Sequence, residues 1–489
     1  MIDWSESLQH MAPILAVAIA AGVVLIADLL PIPKKWLWVI ALIGLAGSIA
    51  YSIWLLADDE QGSAFADTLV LDNFSAFFQI LVAGATAIVV LASVGYTERF
   101  RVREGEYLGL ILVAACGMML MASTTDLIAI YISLELTSVS LYILAAVMKD
   151  ARSTEAGLKY LLLGAVSSSV VLYGMAFLFG ATGSTNLNGI GEAIGERYDD
   201  IEVAVIVGIV FLAGGFAFKL ATIPFQMWTP DVYEGAPTPI AAFLSVGSKA
   251  AGFAMLLRVF YTCFADAEVA DDWEVLIGGM AAISMTIGNL LALRQTNLKR
   301  LLGYSSIAQA GNILVGVAAI SAGNGEFSIG AAGTMFFLAS YAFTNLGAFI
   351  AIIAISNRIG SYEIADYAGL GRRWPLPAAA LTLCLVSLTG LPVTVGFWAK
   401  IYIFNAAAQA DLWWLVLIAV ANTAISAFYY LGVIAQMYLR DGDQPIERRP
   451  FDIPLSFSVA ATALGVLVFG VMPIPLIEAA EHAAQVFAA

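Results

Sequence analysis

Four charged residues stand where the surrounding sequence is otherwise apolar. They are Glu135 in YISLELTSVSLYIL, Lys219 in FLAGGFAFKLATIPF, Lys249 in AAFLSVGSKAAGF and Lys400 in LPVTVGFWAKIYIF. A charge at the centre of a bilayer costs about 2.5–3.5 kcal/mol on insertion scales, and residues kept there mark ion or proton paths. Lysine suits proton transfer once buried. Its amine titrates at about 10.4 in water, desolvation drives that value down, and a neighbouring carboxylate drives it up. A carboxylate such as Glu135 that moves relative to Lys219 would switch the lysine between holding and releasing a proton. The alternative is a structural Glu135–Lys219 ion pair that fixes helix register, although a buried pair adds little net stability. Lys159, in GLKYLLLGAVSSSVVLYG, opens an apolar run; it either feeds the relay or anchors the helix at the surface. Asp28 and Arg258 lie near the ends of apolar runs and read as snorkelling side chains. Ser167, Ser168, Ser169, Ser305, Ser306, Gln309, Asn312, Thr344 and Asn345 are polar positions on apolar stretches. Each alone reads as an interhelical hydrogen bond, and together they could hydrate a channel.

The stretch 218–249, FKLATIPFQMWTPDVYEGAPTPIAAFLSVGSK, must position two of these lysines. Pro224, Pro230, Pro237 and Pro239 follow Lys219 closely, so the incoming helix has to break. Broken backbone at membrane depth is tolerated only where protein buries it or water reaches it. A second break is expected in TGLPVTVGF at 389–397, ahead of Lys400. Both breaks therefore sit beside a lysine.

Windows of about 20 apolar residues predict fourteen spans: 11–30, 36–57, 74–95, 107–123, 127–148, 157–181, 203–223, 237–262, 274–293, 301–320, 327–355, 376–409, 412–438 and 453–473. With that number, one set of loops and span ends contains Lys34, Lys35, Arg99, Arg101, Arg103, Lys149, Arg152, Lys159, Arg294, Lys299, Arg300, Arg358, Arg372, Arg373, Arg440, Arg448 and Arg449. That is 17 of 22 basic residues, and the opposite loops hold only Arg197. The positive-inside rule then places both termini outside. Trp36, Trp38, Trp273, Trp413 and Trp414 read as interfacial belts. The two breaks fall five spans apart, and an odd number of spans inverts a unit, so spans 4–8 and 9–13 read as inverted-topology repeats. The expected organisation is three leading spans (1–106), a first repeat (107–265), a second repeat (266–440) and a final span (441–489). The fold class is an all-α polytopic membrane protein with spans 7 and 12 broken.

Composition narrows the function further. The chain is 61% hydrophobic and 12% charged, whereas soluble domains carry about 25% charged residues. A net charge of −15 does not suggest nucleic acid. Cys116, Cys263 and Cys384 are scattered singly, and His10 and His482 lie outside the spans, so no cluster, zinc or bis-histidine haem site is expected. No GxGxxG or P-loop is present. No cofactor is expected in this chain. The beginning, MIDWSESLQH, lacks a basic n-region, and no signal peptide is expected.

Three stretches carry a family resemblance: LKYLLLGAVSSSVVLYG (158–174), KLATIPFQMWTPDVYEGAPTP (219–239) and LTGLPVTVGFWAKIYIF (388–404). They resemble the antiporter-like membrane subunits of bacterial NADH:quinone oxidoreductase, respiratory complex I, over essentially the whole chain. The form WTPDVYEGAPTP, in place of WLPDA, points to the subunit N family. The resemblance implies a proton channel without redox centres, in a translocase whose NADH and quinone chemistry lies elsewhere. It implies a multi-pass place in the bacterial inner membrane, with neighbouring antiporter-like and small membrane-arm subunits and the lipid bilayer as partners. It carries relay roles over to Glu135, Lys219, Lys249 and Lys400, and to Lys159. Many members have histidine where this chain has Gln226, which cannot titrate and could only orient water. Two alternatives stay open: a subunit of a multisubunit sodium/proton antiporter, which shares the lysine and glutamate pattern, and an autonomous solute carrier.

Overall fold

The computed structural model describes residues 4–31, 33–58, 61–97, 104–265, 267–321, 328–442 and 452–488. Its helices in order are α1 (Trp4–His10), α2 (Ala12–Leu29), α3 (Lys35–Asp58), α4 (Asn73–Ser93), α5 (Glu104–Ser123), α6 (Leu127–Ala145) and α7 (Ala151–Thr182). Next come α8 (Leu187–Leu220), α9 (Trp228–Gly235), α10 (Thr238–Phe243), a π-turn at Leu244–Ser248, α11 (Lys249–Cys263), α12 (Ala267–Ala292), α13 (Leu298–Ala318) and α14 (Ile329–Ile359). The chain finishes with α15 (Leu370–Arg373), α16 (Pro375–Thr389), α17 (Val395–Gln409), α18 (Trp413–Leu439), α19 (Ile453–Val471) and α20 (Ile474–Ala484). Two short antiparallel strands, β1 (Gly62–Ala64) and β2 (Leu69–Leu71), close the turn after α3.

Among the described residues, thirteen helical stretches are long and apolar enough to cross a membrane, counting α10, the π-turn and α11 as one. The interrupted pair α16–α17 falls on the remaining expected span, 376–409. Helix starts follow local chemistry. Asp126, Asp150, Asn186, Asn297 and Ser328 each accept backbone N–H groups at the first turn of α6, α7, α8, α13 and α14, which satisfies donors that a helix leaves unpaired.

Burial sorts the helices by role. The α10–α11 stretch is wholly enclosed by protein, and α13 and α14 nearly so, whereas α3, α18 and α19 keep large apolar faces outward. Lys249 thus stands on the most enclosed stretch of the molecule.

Both expected breaks are present, with sharper limits than hydropathy showed. Helix α8 starts well before residue 203 and stops at Leu220, where Ala221 takes a left-handed conformation (φ +59°). The Ile223 N–H then donates to Ser284 Oγ (3.1 Å), and Trp228 Nε1 turns back onto the Phe218 carbonyl (3.1 Å). These bonds satisfy backbone groups that the prolines free. The second break spans 390–394, with Gly390 left-handed (φ +87°) and the Gly396 N–H held by Ser387 Oγ (3.1 Å).

Several expectations change. Trp36, Trp413 and Trp414 are exposed, as a belt requires, but Trp38 and Trp273 are buried. Their indole N–H groups donate to the half-buried Glu104 and to the Phe264 carbonyl, and these acceptors hold the rings inward. Arg258 does not snorkel. It is 3% exposed and grips Asp72 with two nitrogens (2.5 and 2.9 Å) while donating to the Ala122 carbonyl (3.0 Å). Asp28 is also buried, and Lys34 reaches in to it (2.6 Å). Lys299, expected at a wet helix end, is 3% exposed. The basic residues Arg99, Arg101, Arg103, Arg448 and Arg449 lie outside the described residues.

Candidate functional site: a buried line of lysines

The three central lysines are buried at 3% (Lys219), 1% (Lys249) and 5% (Lys400) exposure. Among the described residues none has a carboxylate within 4 Å. Each rests on neutral oxygens instead.

Glu135 is half-buried on α6 and accepts a hydrogen bond from the Ser168 hydroxyl of α7. Lys219, in the last turn of α8, donates to Ser138 Oγ (3.1 Å). Ser138 lies three residues beyond Glu135, so both fall on one face of α6. The expected Glu135–Lys219 neighbourhood is present, but the direct ion pair weighed as an alternative is absent; a hydroxyl stands in its place. Gln226, just past the break, has a buried Oε1 with no hydrogen-bond partner among the described residues.

Lys249 begins α11 immediately after the π-turn, a distortion frequent at functional sites. Its ammonium donates to both the carbonyl and the hydroxyl of Ser306 on α13, each at 2.6 Å. The Ser306 hydroxyl is a junction, because Tyr233 of α9 and Tyr341 of α14 both reach it at 3.2 Å. Beyond Tyr341 lies a cavity of about 10 Å³ whose lining includes Gln309, Tyr341, Ser387 and Lys400. One water needs about that much room. Lys400 reaches back across the second break and donates to the Leu388 (3.1 Å) and Thr389 (2.9 Å) carbonyls. These carbonyls belong to the last turn of α16, where the helix dipole favours a cation. Gln309 shares the Leu388 carbonyl (3.0 Å) and contacts Tyr430 OH (3.3 Å), which also pairs with Ser305.

Lys159 stands apart from this line. It pairs with Glu155 (2.7 Å) and Asp231 (2.8 Å) and is partly exposed. Arg300 pairs with Asp231 (2.7 Å) and Glu234 (3.0 Å), and the group lines a polar basin of about 300 Å³. The structure therefore joins Lys249, Ser306, Tyr341, Gln309 and Lys400 into one polar stretch, seats Lys219 on Ser138 and Glu135 on Ser168, and sets Lys159 in a surface basin. Sequence reasoning missed Ser138, Tyr233, Tyr341 and Tyr430, which show no charge, and Asp231, Glu234 and Arg300, which look like ordinary loop charges.

Residues 124–426 match the family described as "NADH:quinone oxidoreductase/Mrp antiporter, TM", a segment that includes Glu135 and all three central lysines. A relative in Dehalococcoides mccartyi, NADH-quinone oxidoreductase subunit N, is 44% identical over 97% of this chain and 98% of its own length. The chain belongs to the NADH-quinone oxidoreductase subunit N family. A second family member, from Trichlorobacter lovleyi, is 42% identical over 92% of this chain and 90% of its own. Among solved structures, a chain of respiratory complex I from Thermus thermophilus with bound aureothin superposes with a TM-score of 0.81 at 32% identity, covering 96% of this chain and 99% of that one. A chain of the Mrp complex from Dietzia sp. shares the fold (TM-score 0.86) at 21% identity, covering 99% and 98% of the two chains.

Proposed function

We propose that this chain is a proton-translocating membrane-arm subunit of an NADH:quinone oxidoreductase. In this reading Glu135, Lys219, Lys249 and Lys400 carry protons, Lys159 delivers them from the surface basin, and the energy comes from quinone reduction elsewhere in the complex. The observation that carries it is the seating of three buried lysines on hydroxyls and carbonyls, with no carboxylate within 4 Å of any of them among the described residues. A lysine retained for stability would be paired, because an uncompensated buried charge is strongly destabilising. A lysine that must gain and lose a proton is served by neutral oxygens and space for water.

The reading includes the repeats at 107–265 and 266–440, each supplying one broken helix and one lysine beside it. It places the chain in the bacterial inner membrane with both termini on the outer side, by the loop charges. Its partners are the other membrane-arm subunits of the complex and the lipid around them. Glu135 is open to one such neighbour, because it lies half-buried on α6 beside the exposed Ile132 and Leu136.

The test is to purify through a tag on this chain and reconstitute the product in sealed vesicles. Redox subunits and NADH-driven proton uptake that persists without sodium support the reading. A tag that brings down no redox subunit, with sodium-dependent exchange, would replace it with the sodium/proton antiporter alternative.

A further inference from the structure

The direction in which Lys249 points depends on where the π-turn at Leu244–Ser248 stands. A π-turn bonds five residues apart instead of four, so it carries one residue more than an α-turn. Each residue turns an α-helix by about 100° on a cylinder of about 2.3 Å radius. A π-turn ahead of Lys249 therefore aims the lysine about 100° away from the direction it would take with the π-turn behind it. That rotation moves its Cα by about 3.5 Å, more than a hydrogen bond tolerates. The surplus residue can shift but not vanish, because both ends of the stretch are tied. At the start of α10, the Thr238 N–H donates to Tyr96 OH (3.3 Å) and Thr238 Oγ1 pairs with Tyr362 OH (2.9 Å). Arg258, nine residues beyond Lys249, is clasped by Asp72.

A hold on the π-turn comes from α14. Within the turn, Ser245 Oγ donates to the Ala242 carbonyl (2.7 Å) and accepts from Asn345 Nδ2 (2.7 Å). Both side chains are fully buried, so neither can turn to bulk water when the bond is lost. Asn345 Oδ1 has no hydrogen-bond partner among the described residues, which leaves the amide resting on Ser245. Tyr341 lies four residues earlier on α14 and so on the same face. It reaches Ser306 Oγ (3.2 Å), and its ring centre is 5.8 Å from the Lys249 ammonium. One face of α14 thus meets Lys249 at both ends: Tyr341 beside the ammonium and its acceptor, and Asn345 at the backbone turn behind it.

Resting on the proton-translocation reading above, we propose that Asn345 is a positioning residue for the proton line: through Ser245 it pins the π-turn ahead of Lys249 and so points the ammonium at Ser306. Asn345 carries no proton itself. Without its bond, the π-turn migrates into α11 and Lys249 leaves the hydroxyl that it shares with Tyr233 and Tyr341.

The test uses the assembled complex in sealed vesicles, with quinone reduction and proton uptake recorded together, and a cryo-electron microscopy map of each variant. Asn345→Leu keeps the volume and removes the donor. Ser245→Ala removes only the hydroxyl. Each is expected to slow coupled turnover roughly tenfold or more, since a misplacement of about 1 Å can cost about 10²-fold. The maps are expected to show the π-turn displaced and Lys249 off Ser306. Ser245→Thr, which keeps a hydroxyl, is expected to recover most of the rate. The double variant should be no slower than the slower single one, because both act through one bond. Wild-type turnover in Ser245→Ala overturns the proposal, whether or not Asn345→Leu assembles. Slow turnover with the π-turn and Lys249 unmoved also overturns it, and leaves Asn345 as a bond between helices. Lys249→Ala run alongside separates the two readings: loss there with normal Ser245→Ala removes only this role for Asn345, whereas normal turnover in Lys249→Ala removes Lys249 from the relay itself.

Discussion

Gly390→Ala offers a way to disturb the relay without removing any of its chemistry. Gly390 has φ +87°, and a Cβ there would lie 2.8 Å from Lys400 Cδ and 3.4 Å from its ammonium nitrogen. The lysine side chain is the flexible partner, so it yields and leaves its seat on the Leu388 and Thr389 carbonyls. The left-handed conformation itself costs an alanine about 1–2 kcal/mol. Gly183 supplies the control: it is also left-handed (φ +76°), and a Cβ there meets nothing within 4 Å. The backbone strain is therefore shared, and the difference between the two variants reports the displaced ammonium. Losing one charge-assisted hydrogen bond is worth about 1.5–3 kcal/mol, which lowers the seated population roughly 10- to 150-fold. Proton uptake and quinone reduction in sealed vesicles, with assembly checked on a native gel, should fall by that order in Gly390→Ala and stay near wild type in Gly183→Ala. Equal behaviour of the two variants refutes the claim that the Lys400 seat matters.

Other consequences follow from single contacts. Ser306→Ala removes the hydroxyl shared by Lys249, Tyr233 and Tyr341; coupled proton uptake should drop roughly tenfold or more with assembly intact, read by a fluorescent pH-gradient dye. Asp72→Asn keeps a capping residue at the start of α4 but leaves the buried Arg258 uncompensated, and should destabilise the complex by about 3–5 kcal/mol in a thermal unfolding assay. Adding Arg258→Met to that variant should recover most of the loss. Asp231→Asn breaks partly exposed pairs with Lys159 and Arg300, so stability should change by no more than about 1 kcal/mol, while proton uptake slows if Lys159 supplies the line.

The spans and both breaks were legible because membrane insertion writes them in local composition. Apolar runs and prolines act on their own neighbourhood. Lys219, Lys249 and Lys400 were legible for the same reason, as charges within apolar runs. Lys299 was not, because it sits beside Arg300 at a helix start, where a basic residue ordinarily meets water; the end of α9 and the Tyr362 ring, both more than sixty residues away in sequence, enclose it. The Arg258–Asp72 pair spans 186 residues and left no local signal. The Ser306 junction is likewise made by residues from four elements, and a serine in a helix gives no sign of which neighbours it will meet. The Ser138 hydroxyl that holds Lys219 was hidden because two charges near each other in a fold suggest a direct pair, whereas α6 turns Ser138 toward the lysine.

The most direct test of the account is Lys219→Ala in the assembled complex within sealed vesicles, with NADH-driven quinone reduction and proton uptake measured together. The account predicts that both fall sharply while assembly is unchanged. Normal quinone reduction with normal proton uptake would make Lys219 structural and contradict the relay.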